Sequence, residues 1–254
     1  MRTNYLDYLN PDQLQRDSTE IWKMINENLD EKNLIYAYDS CIFQGKEKVI
    51  MPIHSVMLSK GEKLYRIRRG IKGYDQIRFP DDFSYNPNAK YGRFNCEGEK
   101  VLYLSTSVDV TMAELDIKSK ELFFLIEYTL REDLVLRPVF IGNRFEEKKG
   151  EILNGFINEI FQKRHSENPN IYRATSIIKN LYPFMLDEET KGWLYPSTKT
   201  KGLNVALTYP KANGYLQVSD FHLVFHVGDD LCGYITNLET ENWIERQIQK
   251  TIVI

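Results

Sequence analysis

The sequence predicts an α+β chain: a mixed-sheet core with flanking helices, preceded by an N-terminal helical extension. Three observations lead there. Short β-branched and aromatic runs occur in separate groups, segments with helical apolar spacing lie between them, and neither a regular strand–helix alternation nor an all-β rhythm is present. With 254 residues the chain can form one large domain or two small ones. Its 42% hydrophobic and 27% charged content is that of a globular core, which excludes disorder as the main state.

The first element follows from Asn10 as a cap, Pro11 at the first helical position, and Leu14, Ile21, Trp22, Ile25 and Leu29 at helical spacing. These predict an amphipathic helix of about five turns. Such a stripe must be covered, by its own domain, by a second copy in a homodimer, or by a partner protein. The expectation is packing in cis, partly walling the loop that follows. Lys63 to Arg68 and Val101 to Ser105 read as strands, separated by a Gly-, Pro-, Asp- and Asn-rich stretch from Gly70 to Gly98. That stretch reads as a long surface excursion with few regular hydrogen bonds, the kind of place where binding groups concentrate.

After Ser107, the pattern Val110, Ala113, Ile117 predicts a short helix, followed by strands at Leu122 to Leu130 and Leu134 to Ile141. Gly142 to Gly150 reads as a charged turn. Ile152, Leu153, Phe156, Ile157, Ile160 and Phe161 form the stripe of a core-facing helix over Glu151 to Phe161, with a second helix at Ile171 to Leu181. Strands follow at Gly192 to Tyr195, Leu203 to Thr208 and Leu216 to Val227, then a last helix from about Glu239 to Gln249. The expected division is a helical extension over residues 1–60 and a main domain over 61–254 that includes the C-terminal helix.

Charge and cysteine usage narrow the function classes. Thirty-three Lys and Arg against 36 Asp and Glu give a net charge of −3, which argues against coating nucleic acid but permits a local basic pocket for a phosphorylated small molecule. No apolar run reaches the roughly 18 residues of a spanning helix, and the N-terminus lacks the apolar segment of a signal peptide. A cytoplasmic protein with no membrane partner is expected. Cys41, Cys96 and Cys232 are odd in number and form no CxxC, so neither a disulfide framework nor a zinc site is expected. His222 and His226 are four apart, but on a strand rather than in the helical zinc-binding pattern. Cys96 reads as a passive loop cysteine rather than a reactive thiol.

Three pieces carry the chemistry: Leu64-Tyr65-Arg66-Ile67-Arg68 on a strand, Gly92-Arg93-Phe94-Asn95 in the loop, and Val101-Leu102-Tyr103-Leu104-Ser105 leading to Ala113-Glu114. Much later come Tyr195-Pro196-Ser197 and Gly202-Leu203-Asn204-Val205. In this order they resemble the RES domain family, over about Gly61 to Val227, some two-thirds of the chain. The resemblance implies a fold like the ADP-ribosyltransferases, NAD as substrate rather than bound cofactor, and the toxin half of a bacterial toxin–antitoxin pair, with a cognate antitoxin as partner. It implies Glu114, Arg93 and Tyr103 as catalytic residues and Arg66, Asn95, Ser105, Ser197 and Asn204 as substrate-binding residues, with no metal. The N-terminal extension and the long span from Glu114 to Ser197 depart from compact members of the family.

The residue types suit that chemistry on their own terms. NAD carries a diphosphate, and a guanidinium offers bidentate hydrogen bonds to phosphate oxygens, so Arg66 and Arg93 are the candidate cations. Cleaving the nicotinamide–ribose bond develops positive charge on the sugar, which a carboxylate such as Glu114 would stabilise. Tyr103 can stack on nicotinamide, and Ser197 can orient either group. Each residue also has a plainer reading. The arginines can be ion-pair partners, Glu114 a solvated helical acid, Tyr103 a core or surface tyrosine, and Ser197 a turn former. The expected activity is cleavage of NAD by water or by inorganic phosphate as co-substrate. The alternatives are transfer of an ADP-ribosyl or phosphoribosyl group to a protein, and a catalytically silent partner-binding protein.

Overall fold

The structure, a computed structural model, describes residues 10–27, 30–43, 55–71, 76–78, 83–85, 89–139, 148–163, 168, 170–181, 186–227 and 231–235. The helix expected at Glu239 to Gln249 and the end of the strand expected to reach Ile141 lie outside the described residues. The helices are α1 (Pro11–Glu27), α2 (Glu31–Phe43), α3 (Val108–Glu114), α4 (Lys148–Gln162) and α5 (Ile171–Ile178). The strands are β1 (Val56–Leu58), β2 (Lys63–Arg69), β3 (Val101–Ser105), β4 (Leu122–Leu130), β5 (Leu134–Pro138), β6 (Gly192–Pro196), β7 (Leu203–Thr208), β8 (Leu216–Val227) and β9 (Leu231–Ile235). The α+β class is observed. The chain divides into two compact units, one of Met1–Ser55, Asn88–Glu99 and Arg137–Asp187, the other of Val56–Pro87, Lys100–Leu136 and Glu188–Ile254.

The first unit is helical. Asn10 caps α1 as expected, its Oδ1 accepting from the amides of Asp12 at 3.0 Å and Gln13 at 3.3 Å. Leu14, Ile21 and Ile25 are fully buried, covered by α2 and α4 of the same unit. Asn170 Nδ2 donates to the Ile25 carbonyl at 3.1 Å and Asn168 Nδ2 to Asn26 Oδ1 at 2.7 Å, tying the end of α1 to the start of α5. The helix α2 is absent from the sequence expectation. Asp30 starts it by accepting from the amides of Lys32 and Asn33, and Leu34, Tyr38 and Cys41 form its buried stripe. A further correction concerns Lys148, Lys149 and Gly150, which open α4 instead of belonging to a turn.

Burial fixes the chemistry of Cys41. Loss of water around the thiol, reinforced by Asp17, pushes its pKa up to about 12, so the reactive thiolate is scarce at neutral pH. Cys41 is therefore expected to resist iodoacetamide in the native protein and to be labelled only on unfolding. Peptide mapping that finds Cys41 labelled equally fast with and without denaturant would contradict this packing.

The second unit holds a sheet whose strand order is β1-β5-β6-β7-β3-β2-β4-β8-β9. The strands of β3, β4, β7 and β8 match the expected bounds, whereas β1 and β9 are additions. On one face Ile67, Phe123, Leu125 and Val224 form a cluster on which Tyr65, Val108, Met112, Leu115 and Ile117 pack, which seats α3 against the sheet. On the other face Phe83 meets Phe124 and Phe221 edge-on at 5.5 and 5.8 Å. The stretch from Gly70 to Gly98 is thus not a plain surface excursion. Phe83, Tyr85 and Phe94 are buried, because apolar area outweighs the turn-forming composition around them. Among the described residues no helix is long and apolar enough to cross a membrane.

Candidate functional site

Strand register in the second unit builds one row of side chains across four strands. Tyr65 of β2 lies opposite Ser105 of β3, Ser105 opposite Asn204 of β7, and Asn204 opposite Tyr195 of β6. Residues directly opposite on antiparallel strands share a face, so two buried polar residues sit between two tyrosines. Tyr103, two residues before Ser105, shares that face opposite Ala206, and it is half-buried while Leu102 and Leu104 are buried on the other side. The expected alternation is observed.

The polar pair continues into α3. Ser105 Oγ donates to Asn204 Oδ1 at 2.7 Å, and Asn204 Nδ2 donates to Glu114 Oε1 at 2.8 Å. The Thr198 amide donates to the same oxygen at 3.2 Å. Donor and acceptor are fixed at every link, so each bond polarises the next toward the carboxylate. Three of the expected site residues, Ser105, Asn204 and Glu114, are thereby joined, and a fourth, Ser197, directly precedes Thr198.

Local chain geometry explains why Glu114 ends up there. Ser107 caps α3 by accepting from the Val110 amide at 3.3 Å. At the other end, the Asp116 amide bonds the Ala113 carbonyl and the Ile117 amide bonds the Met112 carbonyl, each at 3.0 Å. Asp116 has φ 51°, so the helix closes in a Schellman motif with Asp in the left-handed position. This is why the helix stops at Glu114 although the apolar pattern runs on to Ile117. An acid in the last turn of a helix meets the negative end of its dipole, and the bonds from Asn204 and Thr198 offset that penalty.

The turn after β6 delivers the Thr198 amide. Ser197 Oγ accepts from the amides of Lys199 at 3.1 Å and Thr200 at 3.3 Å, a hydroxyl-centred turn, and the Ser197 amide donates to the Gly202 carbonyl. Ser197 therefore makes the turn-forming contacts of its plainer reading. Gly202 is required by space: a Cβ there would lie 2.2 Å from Val110 Cγ2 of α3. Lys199, which the sequence reasoning missed, locks the turn down. Its Nζ donates to the Glu114 carbonyl at 2.9 Å and pairs with Asp116 at 2.6 Å. The run of small hydroxyl residues and lysines before Gly202 was the available signal.

The expected cations are placed differently. Arg66 follows Tyr65 on β2, so pleating turns it to the face opposite Ser105, and its Nη1 donates to the Ser84 carbonyl at 2.7 Å. Beside it Tyr128 Oη donates to the Phe83 carbonyl at 2.8 Å. Together they hold the segment 83–85, so Arg66, expected as a cation for the diphosphate, has a structural task on the face opposite Ser105. Arg93 and Asn95 belong to the first unit. Arg93 is buried, with Nη2 donating to the Lys163 carbonyl at 3.4 Å and its guanidinium 5.8 Å from the Tyr172 ring centre. Lys163 Nζ in turn lies 6.0 Å from the Trp22 ring of α1. Asn95 Nδ2 donates to the carbonyls of Lys90 and Cys96, closing that turn on itself.

His222 pairs with Asp220 at 2.9 Å and His226 is buried on β8, and among the described residues no cluster of three or more His, Cys, Asp or Glu could hold a metal ion. No protein-family model matches this chain, and neither a curated protein nor a solved structure matches it.

Proposed function

We propose that the protein cleaves the nicotinamide–ribose bond of NAD, with Glu114 as the carboxylate that stabilises the sugar cation. The observation that carries this reading is the relay from Ser105 through Asn204 to Glu114. It holds a carboxylate in one geometry at the end of a short helix, beside tyrosines on the sheet. Both protein hydrogen bonds fall on Oε1, so Oε2 is the oxygen a ribose hydroxyl would meet. In the step itself the C–N bond breaks and its electron pair leaves with neutral nicotinamide. An oxygen of water or inorganic phosphate then bonds to the ribose carbon, and attack by water releases one proton. Fixed negative charge in a partly dry site favours the developing cation without reorganisation. Tyr103, on the same face, is the stacking surface for the leaving ring.

The resemblance of the sequence pieces to the RES family, the order in which they occur, and the joining of Ser105, Asn204 and Glu114 by hydrogen bonds support this reading over a solvated helical acid. A toxin role with an antitoxin partner belongs to the same proposal and rests on the resemblance alone. Purified protein incubated with NAD, with and without phosphate, is expected to release nicotinamide, giving ADP-ribose from water or its 1-phosphate from phosphate. Intact NAD under both conditions would refute the proposal. ADP-ribose attached to a protein in place of either product would point to transfer instead.

A further inference from the structure

Two cations from different parts of the second unit hold the C-terminal end of α3. The helix has only seven residues, too few to persist on its own hydrogen bonds. Its closing bonds use the Thr111, Met112 and Ala113 carbonyls, so those of Glu114 and Asp116 are met from outside the helix. Lys199 Nζ donates to the Glu114 carbonyl at 2.9 Å, and Arg69 Nη2 donates to the Asp116 carbonyl at 3.0 Å. Each cation has a second anchor. Lys199 pairs with Asp116 at 2.6 Å, and Arg69 Nε and Nη2 grip the two Glu121 oxygens at 2.6 and 3.0 Å. Cations suit the negative end of a helix dipole, which accounts for their charge but not for where each comes from. Arg69 ends β2 and Glu121 directly precedes β4, so this hold ties the helix end to the sheet. Lys199 lies in the turn after β6, one residue past Thr198, whose amide donates to Glu114 Oε1 at 3.2 Å. Its side chain is only 16% exposed, so the ammonium is fixed rather than solvated. Loss of that ammonium therefore frees the turn, while Arg69 keeps the helix end in place.

We propose that Lys199 is a positioning residue for the cleavage: it holds the turn whose Thr198 amide fixes one oxygen of Glu114 and leaves the other to meet the ribose. The inference rests on the reading of Glu114 as the carboxylate that stabilises the sugar cation. Lys199 acts through Glu114 and touches neither the sugar nor the leaving ring. A carboxylate that is misaligned still lets NAD bind but stabilises the transition state less, so the effect falls on kcat rather than on KM.

The test compares the full-length parent with two variants. Lys199→Met keeps the apolar stem and removes the ammonium. Asp116→Asn removes the ion pair but leaves the bond to the Glu114 carbonyl, with a residue type that tolerates the left-handed conformation. Amide hydrogen exchange reads the turn without any turnover. In Lys199→Met the Thr198 amide should exchange at least about tenfold faster than in the parent, while the Ile117 amide, bonded to the Met112 carbonyl at 3.0 Å, exchanges as before. In the same variant kcat for nicotinamide release should fall about fivefold or more with KM within about twofold, and Asp116→Asn should stay within about threefold of the parent in both measurements. Unchanged Thr198 exchange in Lys199→Met would overturn the proposal, as would faster exchange at the parent kcat or a rise in KM alone. Loss of protection at Ile117 together with Thr198 would overturn it too, by making Lys199 a support of the helix rather than of the turn. Asp116→Asn behaving like Lys199→Met would contradict the carbonyl bond as the working contact. Intact NAD with the parent would instead remove the NAD reading and the kinetic half of the proposal, while Thr198 exchange still decides whether Lys199 holds the turn against Glu114.

Discussion

Glu114→Gln should keep its melting temperature and lose NAD turnover by at least about tenfold, on the order of 1.4 kcal/mol or more of barrier. The substitution separates structure from charge. Gln retains an Oε1 that can accept from Asn204 Nδ2 and the Thr198 amide, so the relay and the turn persist. What disappears is the negative charge facing the ribose. A larger truncation, Glu114→Ala, would also leave the Asn204 amide without its acceptor and would mix a folding effect into the kinetics. A folded Glu114→Gln protein that consumes NAD at the parent rate would remove this residue from the chemistry.

The second large effect is expected in stability, at a residue that composition alone would place on the surface. Lys179 is 1% exposed. Its ammonium donates to the Phe94 carbonyl at 3.0 Å and pairs closely with Glu99, whose Oε2 also accepts from the Cys96 amide at 2.9 Å. One buried cation thus fastens the turn carrying Arg93, Phe94 and Asn95 to the end of α5. Removing one partner of a buried pair leaves the other without compensation. Because Glu99 is 38% exposed and can be partly rehydrated, Lys179→Met should cost about 3 kcal/mol, the low end for such pairs. Urea unfolding with an unchanged slope measures this directly. A loss below about 0.5 kcal/mol would show the pair to be energetically idle, as exposed pairs often are.

What the sequence disclosed depended on how strongly each pattern constrained the chain. The bounds of β3, β4, β7 and β8 were legible because their β-branched and aromatic runs end at turn-forming residues. The helix α2 was not legible, since Ile35 and Tyr36 are apolar yet exposed and blur the stripe of Leu34, Tyr38 and Cys41. The three-residue strand β1 is defined by its pairing with β5, which no local pattern reveals. Within the site, Ser105, Glu114, Ser197 and Asn204 were named from sequence, but their joining rests on register between β3 and β7, ninety-nine residues apart at the Ser105–Asn204 bond. The placement of Arg66 was within reach. The alternation that turns Tyr103 away from its leucines also turns Arg66 away from Tyr65. Lys179 and Lys199 escaped because a lysine carries no sequence mark of burial or of a partner about eighty residues away.

The relay is most directly tested by a double-mutant cycle on nicotinamide release, using Asn204→Leu, Glu114→Gln and the two combined, each at its own confirmed folded state. If Asn204 acts by holding Glu114, the single changes each slow release and the double variant is no slower than Glu114→Gln alone, because groups acting as a unit are not additive. Losses that multiply in the double variant, or parent-rate release from Asn204→Leu, would contradict the relay.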